Sequence, residues 1–264
     1  MKSLLEFARF KQERQPISMV TSYDAWSAQL IAQTAIDVVL VGDSAAMVMG
    51  GHASTVHADI ETMAAHTGAV ARGLNGQIFL VSDLPFPTHR MGLNEALKSA
   101  DQLLKVGAQA VKLEGVRGHE DTVRGLVESG VPVMGHLGLT PQSVNQLGGY
   151  RVQARDAEAA DQLLEDARSL ERLGAFAVVL ECIPTELAAA VTEALEIPTI
   201  GIGSGVHCDG QVLVLQDLLG LNEGFKPKFL RTYLDGAGLV KDALARFDSD
   251  VKTQAFPAKK ESFS

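Results

Sequence analysis

Long apolar runs are missing from this 264-residue chain. No stretch approaches the roughly 20 apolar residues that a membrane-crossing helix needs. The start, from Met1 to Phe10, is an amphipathic helix pattern broken by charge, with no secretory cleavage site, so a soluble cytoplasmic protein is expected. Cysteine is scarce: Cys182 and Cys208 are the only two, too few for a disulfide scaffold and without metal-ligand spacing. They read as reduced thiols, for which a core role is the common one and chemistry the rarer. Positive charge is in deficit, with 23 basic against 32 acidic residues and a net charge of −9, which argues against nucleic acid or an anionic membrane surface as partner. A small molecule is the expected ligand. No internal repeat or low-complexity linker divides the chain, and its 46% of hydrophobic residues can fill one barrel-sized core. The reading is one domain over residues 1–264, with a loose polar tail from about residue 256.

What the chain does contain is a repeated grammar, an apolar run that stops on a polar or ionisable group. It opens with Val38-Val39-Leu40-Val41-Gly42-Asp43-Ser44 and returns in the runs ending at Asp83, Glu114, His136 and Glu181. A single buried strand ending on an acid means little, because such acids often cap the next helix. Five in one chain suggest a shared site.

Between these runs lie helical patterns. Ala96, Leu97, Ala100, Leu103 and Leu104 recur on one helical face, as do Leu163, Leu164, Ala167, Leu170 and Leu173. Asp59 is placed to cap one helix, and the prolines of Asp83-Leu-Pro-Phe-Pro87 stop the third strand. With strands also expected at Ile17 to Thr21, Ile197 to Gly201 and Gln211 to Leu215, eight strands with mostly helical crossovers predict a parallel (β/α)8 TIM barrel preceded by an N-terminal helix. The longest non-periodic stretch, Leu137 to Arg155, reads as a functional loop.

A barrel opens the carboxyl ends of all its strands on one face. Asp43, Asp83, Lys112, Glu114, His136 and Glu181 are therefore expected to converge there, with Lys112 and Glu114 on the same side of one strand because they lie two apart. Clustered carboxylates repel unless a positive charge sits among them. Mg2+ is one answer, and an ion-pair network centred on Lys112 is another. Gly201-Ile-Gly-Ser-Gly205 could cradle a phosphate or form a plain turn. His52, His57, His66, His89, His119 and His207 lack metal spacing and read as surface or loop histidines, and no Ser-His-Asp arrangement accompanies Ser44 or Ser143.

Taken together, Leu40-Val-Gly-Asp-Ser44, Asp83-Leu-Pro-Phe86, Val111-Lys-Leu-Glu-Gly115, Gly135-His-Leu-Gly-Leu-Thr-Pro-Gln-Ser143, Leu180-Glu-Cys-Ile-Pro184 and Ile200-Gly-Ile-Gly-Ser-Gly205 resemble the ketopantoate hydroxymethyltransferase family, in order, from about Thr21 to Lys228. The resemblance implies a Mg2+-dependent barrel enzyme of pantothenate biosynthesis. Such an enzyme transfers a one-carbon unit from 5,10-methylenetetrahydrofolate to α-ketoisovalerate. It further implies Asp43 and Asp83 as metal ligands, with Glu114 holding the metal directly or through water. Ser44, Lys112 and His136 would lie on the substrate side, and Glu181 would be the general base. Members of the family are cytoplasmic and commonly decameric, so a homo-oligomer is expected.

Two stretches depart from the family pattern: His57 stands where proline is expected, and Pro87-Thr-His-Arg90 replaces the usual turn. These changes bear on loop packing or folate contacts, not on the metal and base positions. An alternative is another Mg2+-dependent keto-acid lyase or aldolase of the isocitrate lyase kind, but the Lys-Lys-Cys-Gly-His run of such lyases is missing. A noncatalytic ligand-binding protein is the third reading, opposed by the intact Asp43, Asp83, Glu114 and Glu181.

Overall fold

The apolar runs become eight short parallel strands in a computed structural model, which describes residues 3–224 and 226–263. They are β1 (Ile17–Thr21), β2 (Val38–Val41), β3 (Phe79–Asp83), β4 (Ala110–Glu114), β5 (Val133–Gly138), β6 (Ala177–Glu181), β7 (Thr199–Ile202) and β8 (Gly210–Leu213). Each pairs with its sequence neighbours, and β8 returns to β1 to close the barrel. Valine and leucine dominate β2 and β6, as a strand buried on both faces requires.

The helices are α1 (Leu4–Glu13), α2 (Ala25–Ile31), α3 (Ala45–Val48), α4 (Ile60–Leu74), α5 (Leu93–Lys105), α6 (Glu120–Glu128), α7 (Val144–Leu147), α8 (Ala157–Arg172), α9 (Thr185–Ala194), α10 (Leu215–Leu218) and α11 (Gly236–Lys252). Four start on an aspartate that accepts a free amide hydrogen of the first turn. Asp24 takes Ser27 N at 2.8 Å, Asp59 takes Thr62 N at 2.7 Å, Asp156 takes Ala159 N at 2.9 Å and Asp235 takes Gly238 N at 3.3 Å. No helix among the described residues is long and apolar enough to cross a membrane.

The chain divides into two units, Met1–Leu213, which holds the barrel, and Val214–Ser264, which holds α10 and α11. Within the first, one apolar cluster draws alternate residues from all eight strands: Ile17, Met19, Val38, Leu40, Phe79, Val81, Ala110, Met134, Ala177, Val179, Ile200 and Val212. Phe7 and Phe10 of α1 join the same cluster, with Phe7 edge-on to Phe79 at 5.1 Å between ring centres. These two rings stopper the amino-terminal end of the barrel. Within the second unit, Tyr233 N donates to Leu218 O and Gly236 N to Leu219 O, which ties the start of α11 to α10.

The strand limits differ from the sequence reading at two places that matter. β2 ends at Val41, so Asp43 lies beyond the strand, and β5 runs two residues past His136 to Gly138. Gly138 has φ of +90°, and a side chain there would overlap the backbone of Glu181 and meet Ile183 Cγ2 at 2.7 Å. Glycine lets β5 approach β6 closely at the level of Glu181.

Candidate active site

Register decides which side chains meet. Asp83 is the cross-strand partner of Lys112, Glu114 of His136, and Gly138 of Glu181. Continuing the inward alternation of the core cluster, β3 presents Asp83 after Val81, β4 presents Lys112 and Glu114 after Ala110, β5 presents His136 after Met134 and β6 presents Glu181 after Val179. Asp43, Asp83, Lys112, Glu114 and His136 are all buried, whereas the Glu181 side chain keeps 17% exposure.

Lys112 lies at the centre. Its Nζ is 2.9 Å from Asp83 Oδ1, an ion pair outside hydrogen-bond alignment, and 3.3 Å from His136 Nδ1. An ammonium can only donate, so His136 Nδ1 accepts and the ring proton sits on Nε2. That nitrogen is 3.2 Å from Glu181 Oε2, again a close contact off the hydrogen-bond direction, while Nδ1 is 3.6 Å from Glu114 Oε1. Burial, and then the charge of Lys112, lower the His136 pKa, so the ring is neutral near pH 7. Burial also opposes the Lys112 charge, but Asp83, Asp43 and Glu114 together outweigh it and raise its pKa.

Asp43 sits off the inward alternation, because Gly42 fills the slot after Leu40. A methyl group at Gly42 would come 2.8 Å from Ser44 Oγ and 3.6 Å from Asp83 Oδ2. The turn brings Asp43 N to Asp83 Oδ2 at 2.9 Å, joining the two carboxylate-bearing strand ends. Burial first, and then Asp83, push the Asp43 carboxyl up to about 7, against the pull of Lys112 and Gln142. Glu114 is also raised well above the usual range, by burial and then by Asp43. With all three carboxyls ionised, one buried ammonium would not balance them, and the raised pKa values of Asp43 and Glu114 express that shortfall beside the Lys112 network.

That charge imbalance tests the donor set for Mg2+. Among the described residues no group of three or more His, Cys, Asp and Glu side chains is gathered into a metal cage. Hard carboxylate oxygens in a cation-deficient pocket nonetheless suit a divalent ion that takes one or two carboxylates and fills its remaining positions with substrate oxygens and water. The residues fit the ion.

Sequence reasoning missed three residues. Tyr23, buried, places its OH 2.8 Å from Ser44 Oγ; it continues the inward alternation Ile17, Met19, Thr21, which could have revealed it. Gln142 lies inside the Gly135 to Ser143 motif but had no assigned part, and it contacts Asp43, Leu84 and Glu114. His89 gave no periodic signal.

His89 and His119 correct the expectation that the remaining histidines are surface or loop residues: the first is fully buried and the second nearly so, with ring centres 5.0 Å apart. His89 Nε2 is 3.2 Å from the Glu114 carbonyl, and Arg90 Nη2 is 3.4 Å from the same oxygen, so the departing turn packs directly behind Glu114. His57, the other departure, stacks on His52 at 4.6 Å. Burial, then His119 and Arg90, depress the His89 pKa from 6.5 to about 3. The unfolded chain therefore binds the His89 proton more tightly, so its contribution to stability is whole above pH 6.5 and is lost as pH falls toward 3. By pH 4 the loss is roughly 3 kcal/mol. Urea unfolding at pH 7 and pH 4 should show this slope in the parent protein and a shallower one in His89→Gln; equal slopes would contradict it.

The Gly201 to Gly205 segment is the end of β7 and the turn after it, stitched to β6 by Ser204 Oγ donating to Leu180 O at 2.7 Å. Cys182 and Cys208 are free and half-buried, and burial pushes the Cys182 thiol up to about 11.

Comparison with known proteins agrees with the motifs. The family described as ketopantoate hydroxymethyltransferase matches residues 2–259. A protein of Bdellovibrio bacteriovorus named 3-methyl-2-oxobutanoate hydroxymethyltransferase is 56% identical over 264 residues, covering 100% of both chains. A protein of the same name from Coxiella burnetii is 50% identical over 253 residues, covering 96% of this chain and 95% of its own. Among solved structures, a phosphonopyruvate hydrolase complex with oxalate and Mg++ superposes with a TM-score of 0.64 at 11% identity, covering 98% of this chain and 93% of that one. A 2,3-dimethylmalate lyase, titled a member of the PEP mutase/isocitrate lyase superfamily, gives 0.60 at 14% identity, covering 100% and 92%. At such identities the last two speak for the barrel fold alone.

Proposed function

This chain belongs to the ketopantoate hydroxymethyltransferase family, and from that premise we propose that it transfers a hydroxymethyl unit from 5,10-methylenetetrahydrofolate to α-ketoisovalerate, forming ketopantoate for pantothenate biosynthesis. The observation that carries this reading is the line from buried Lys112 and His136 to the partly open Glu181, beside three buried carboxylates. Asp43 and Asp83, with Glu114 directly or through water, would hold Mg2+, which supplies Lewis acidity to the keto-acid carbonyl.

The chain's own groups account for the rest. Glu181, the most open of the site acids, would take the C3 proton of the keto acid. His136, protonated at Nε2, stands 3.2 Å from that carboxylate. Lys112 would contact the keto acid and offset the charge of Asp83 and Asp43. Ser44, fixed by the Tyr23 hydroxyl, would bind the substrate from the turn after β2. Water adds to the methylene carbon of the ring-opened folate, and the C–N bond breaks to release tetrahydrofolate and a one-carbon aldehyde. The C3 carbanion then bonds to that carbon, and its oxygen takes a proton to become the hydroxymethyl group.

Self-association belongs to the same reading. Val240, Leu244, Phe247 and Val251 recur at helical spacing along α11 and are each about half exposed, as are Trp26 and Leu30 one turn apart on α2. Apolar surfaces of this kind fit a homo-oligomer, with a decamer expected; a monomeric sedimentation coefficient would sink that expectation.

Proton NMR of α-ketoisovalerate in D2O tests the function. The C3–H signal should disappear only with protein and Mg2+ together, and ketopantoate should form once methylenetetrahydrofolate is added. No exchange and no product with any divalent ion would refute the assignment.

A further inference from the structure

We propose that Gln142 is the positioning residue of the cation site, holding Asp43 and Glu114 at fixed separation from a loop outside both of their strands. This rests on the reading of Asp43, Asp83 and Glu114 as the cation's ligands. Gln142 lies in the short 3-10 turn Pro141–Ser143 between β5 and α7 and is buried. Its Nε2 donates to Asp43 Oδ2 at 2.8 Å and to the Leu84 carbonyl at 3.0 Å, and its backbone N donates to Glu114 Oε2 at 3.0 Å. One loop residue thus joins the ends of β2, β3 and β4.

The chemistry of the side chain matters as much as its reach. Two acceptors on one atom fix the amide orientation, because only the NH2 end can donate to both. The opposite atom, Oε1, is buried without a hydrogen-bond partner. A lysine or arginine in this place would also orient Asp43, but it would cancel the negative charge that draws a divalent cation. A neutral amide restricts rotation of the carboxylate, occupies Oδ2 and preserves the charge. Groups that orient metal ligands in this manner typically change metal affinity 10–100-fold when removed.

The test is Mn2+ binding to the full-length protein, read from the EPR signal of the free ion, for the parent, Gln142→Met and Asp83→Asn. Methionine keeps the length of glutamine and removes both side-chain hydrogen bonds, while the backbone bond to Glu114 stays. The expected result is Mn2+ affinity about 10–100-fold weaker in Gln142→Met. Its metal-free unfolding temperature should stay close to the parent's, and saturating Mn2+ should restore kcat. A merely structural residue would move the unfolding temperature and gain nothing from added cation. Parental affinity in folded Gln142→Met overturns the proposal while leaving the cation site standing. A parent that binds no Mn2+, or binds it equally after Asp83→Asn, overturns the site reading and the proposal with it. If Gln142→Met does not fold, Gln142→Asn, whose amide is one carbon short of Asp43, is judged by the same affinity criterion. Failure of both to fold makes Gln142 a structural staple and overturns the proposal.

Discussion

Glu181→Gln should lower C3–H exchange and turnover by about 10²–10⁴-fold, the span that a positioned general base contributes, while keto-acid binding stays within about twofold. Glutamine has nearly the size of glutamate, so the close approach of β5 and β6 permitted by Gly138 is undisturbed. What it removes is the ability to take a proton. Oε2 of Glu181 lies 3.2 Å from His136 Nε2, and the tautomer imposed by Lys112 leaves that nitrogen protonated. His136 is therefore poorly placed to substitute as base, since its one lone pair already faces an ammonium. Deuterium incorporation at C3, followed by NMR under saturating Mg2+, is the direct measurement. Exchange at the parental rate would take Glu181 out of the base role and leave it a structural carboxylate.

The second large effect is on stability. Lys112→Met removes the sole ammonium recorded among Asp43, Asp83 and Glu114, and stripping the partner from a buried ion pair typically costs 3–5 kcal/mol. For a barrel of this size that corresponds to a fall of about 10 °C in the unfolding midpoint of the metal-free protein. Asp43 and Glu114 already have raised pKa values, so their ionised forms are disfavoured in the fold. Without Lys112 this penalty deepens as pH rises, and it fades as the carboxyls take up protons in acid. Calorimetry at pH 5 and pH 8 should therefore find the larger deficit at pH 8. A deficit under 1 kcal/mol at both would show that the pocket rehydrates and that Lys112 is not its electrostatic keystone.

Much of this pocket is legible in the sequence, for a physical reason. Strands alternate with period two, so Lys112 and Glu114 had to share a face, and a parallel barrel had to bring Asp83, Lys112, His136 and Glu181 to one mouth. The same rule, carried two residues beyond Thr21, would have found Tyr23. It fails for Asp43, which lies past the end of β2 and reaches Asp83 through a backbone hydrogen bond made possible by Gly42. It also fails for Gln142 and His89. A loop residue has no period, and whether it folds into the core depends on contacts far away in sequence. Gln142 touches Asp43 across 99 positions, and nothing local to either residue encodes that meeting. The sequence suggested both a Mg2+ site and a Lys112 ion-pair network as ways to balance the acids. The structure shows why these are compatible, since the lysine meets only part of the charge.

The aromatic stopper formed by Phe7 and Phe10 makes the barrel a blind vessel. On the proposed function, keto acid and folate would share one doorway with solvent, the carboxyl-terminal mouth where Glu181 is partly open. A seated second substrate would then act as a cork. Deuterium washing into Glu181 should be fast with keto acid alone and should slow when a folate analogue occupies the threshold, so the isotope would report how long the door stays shut.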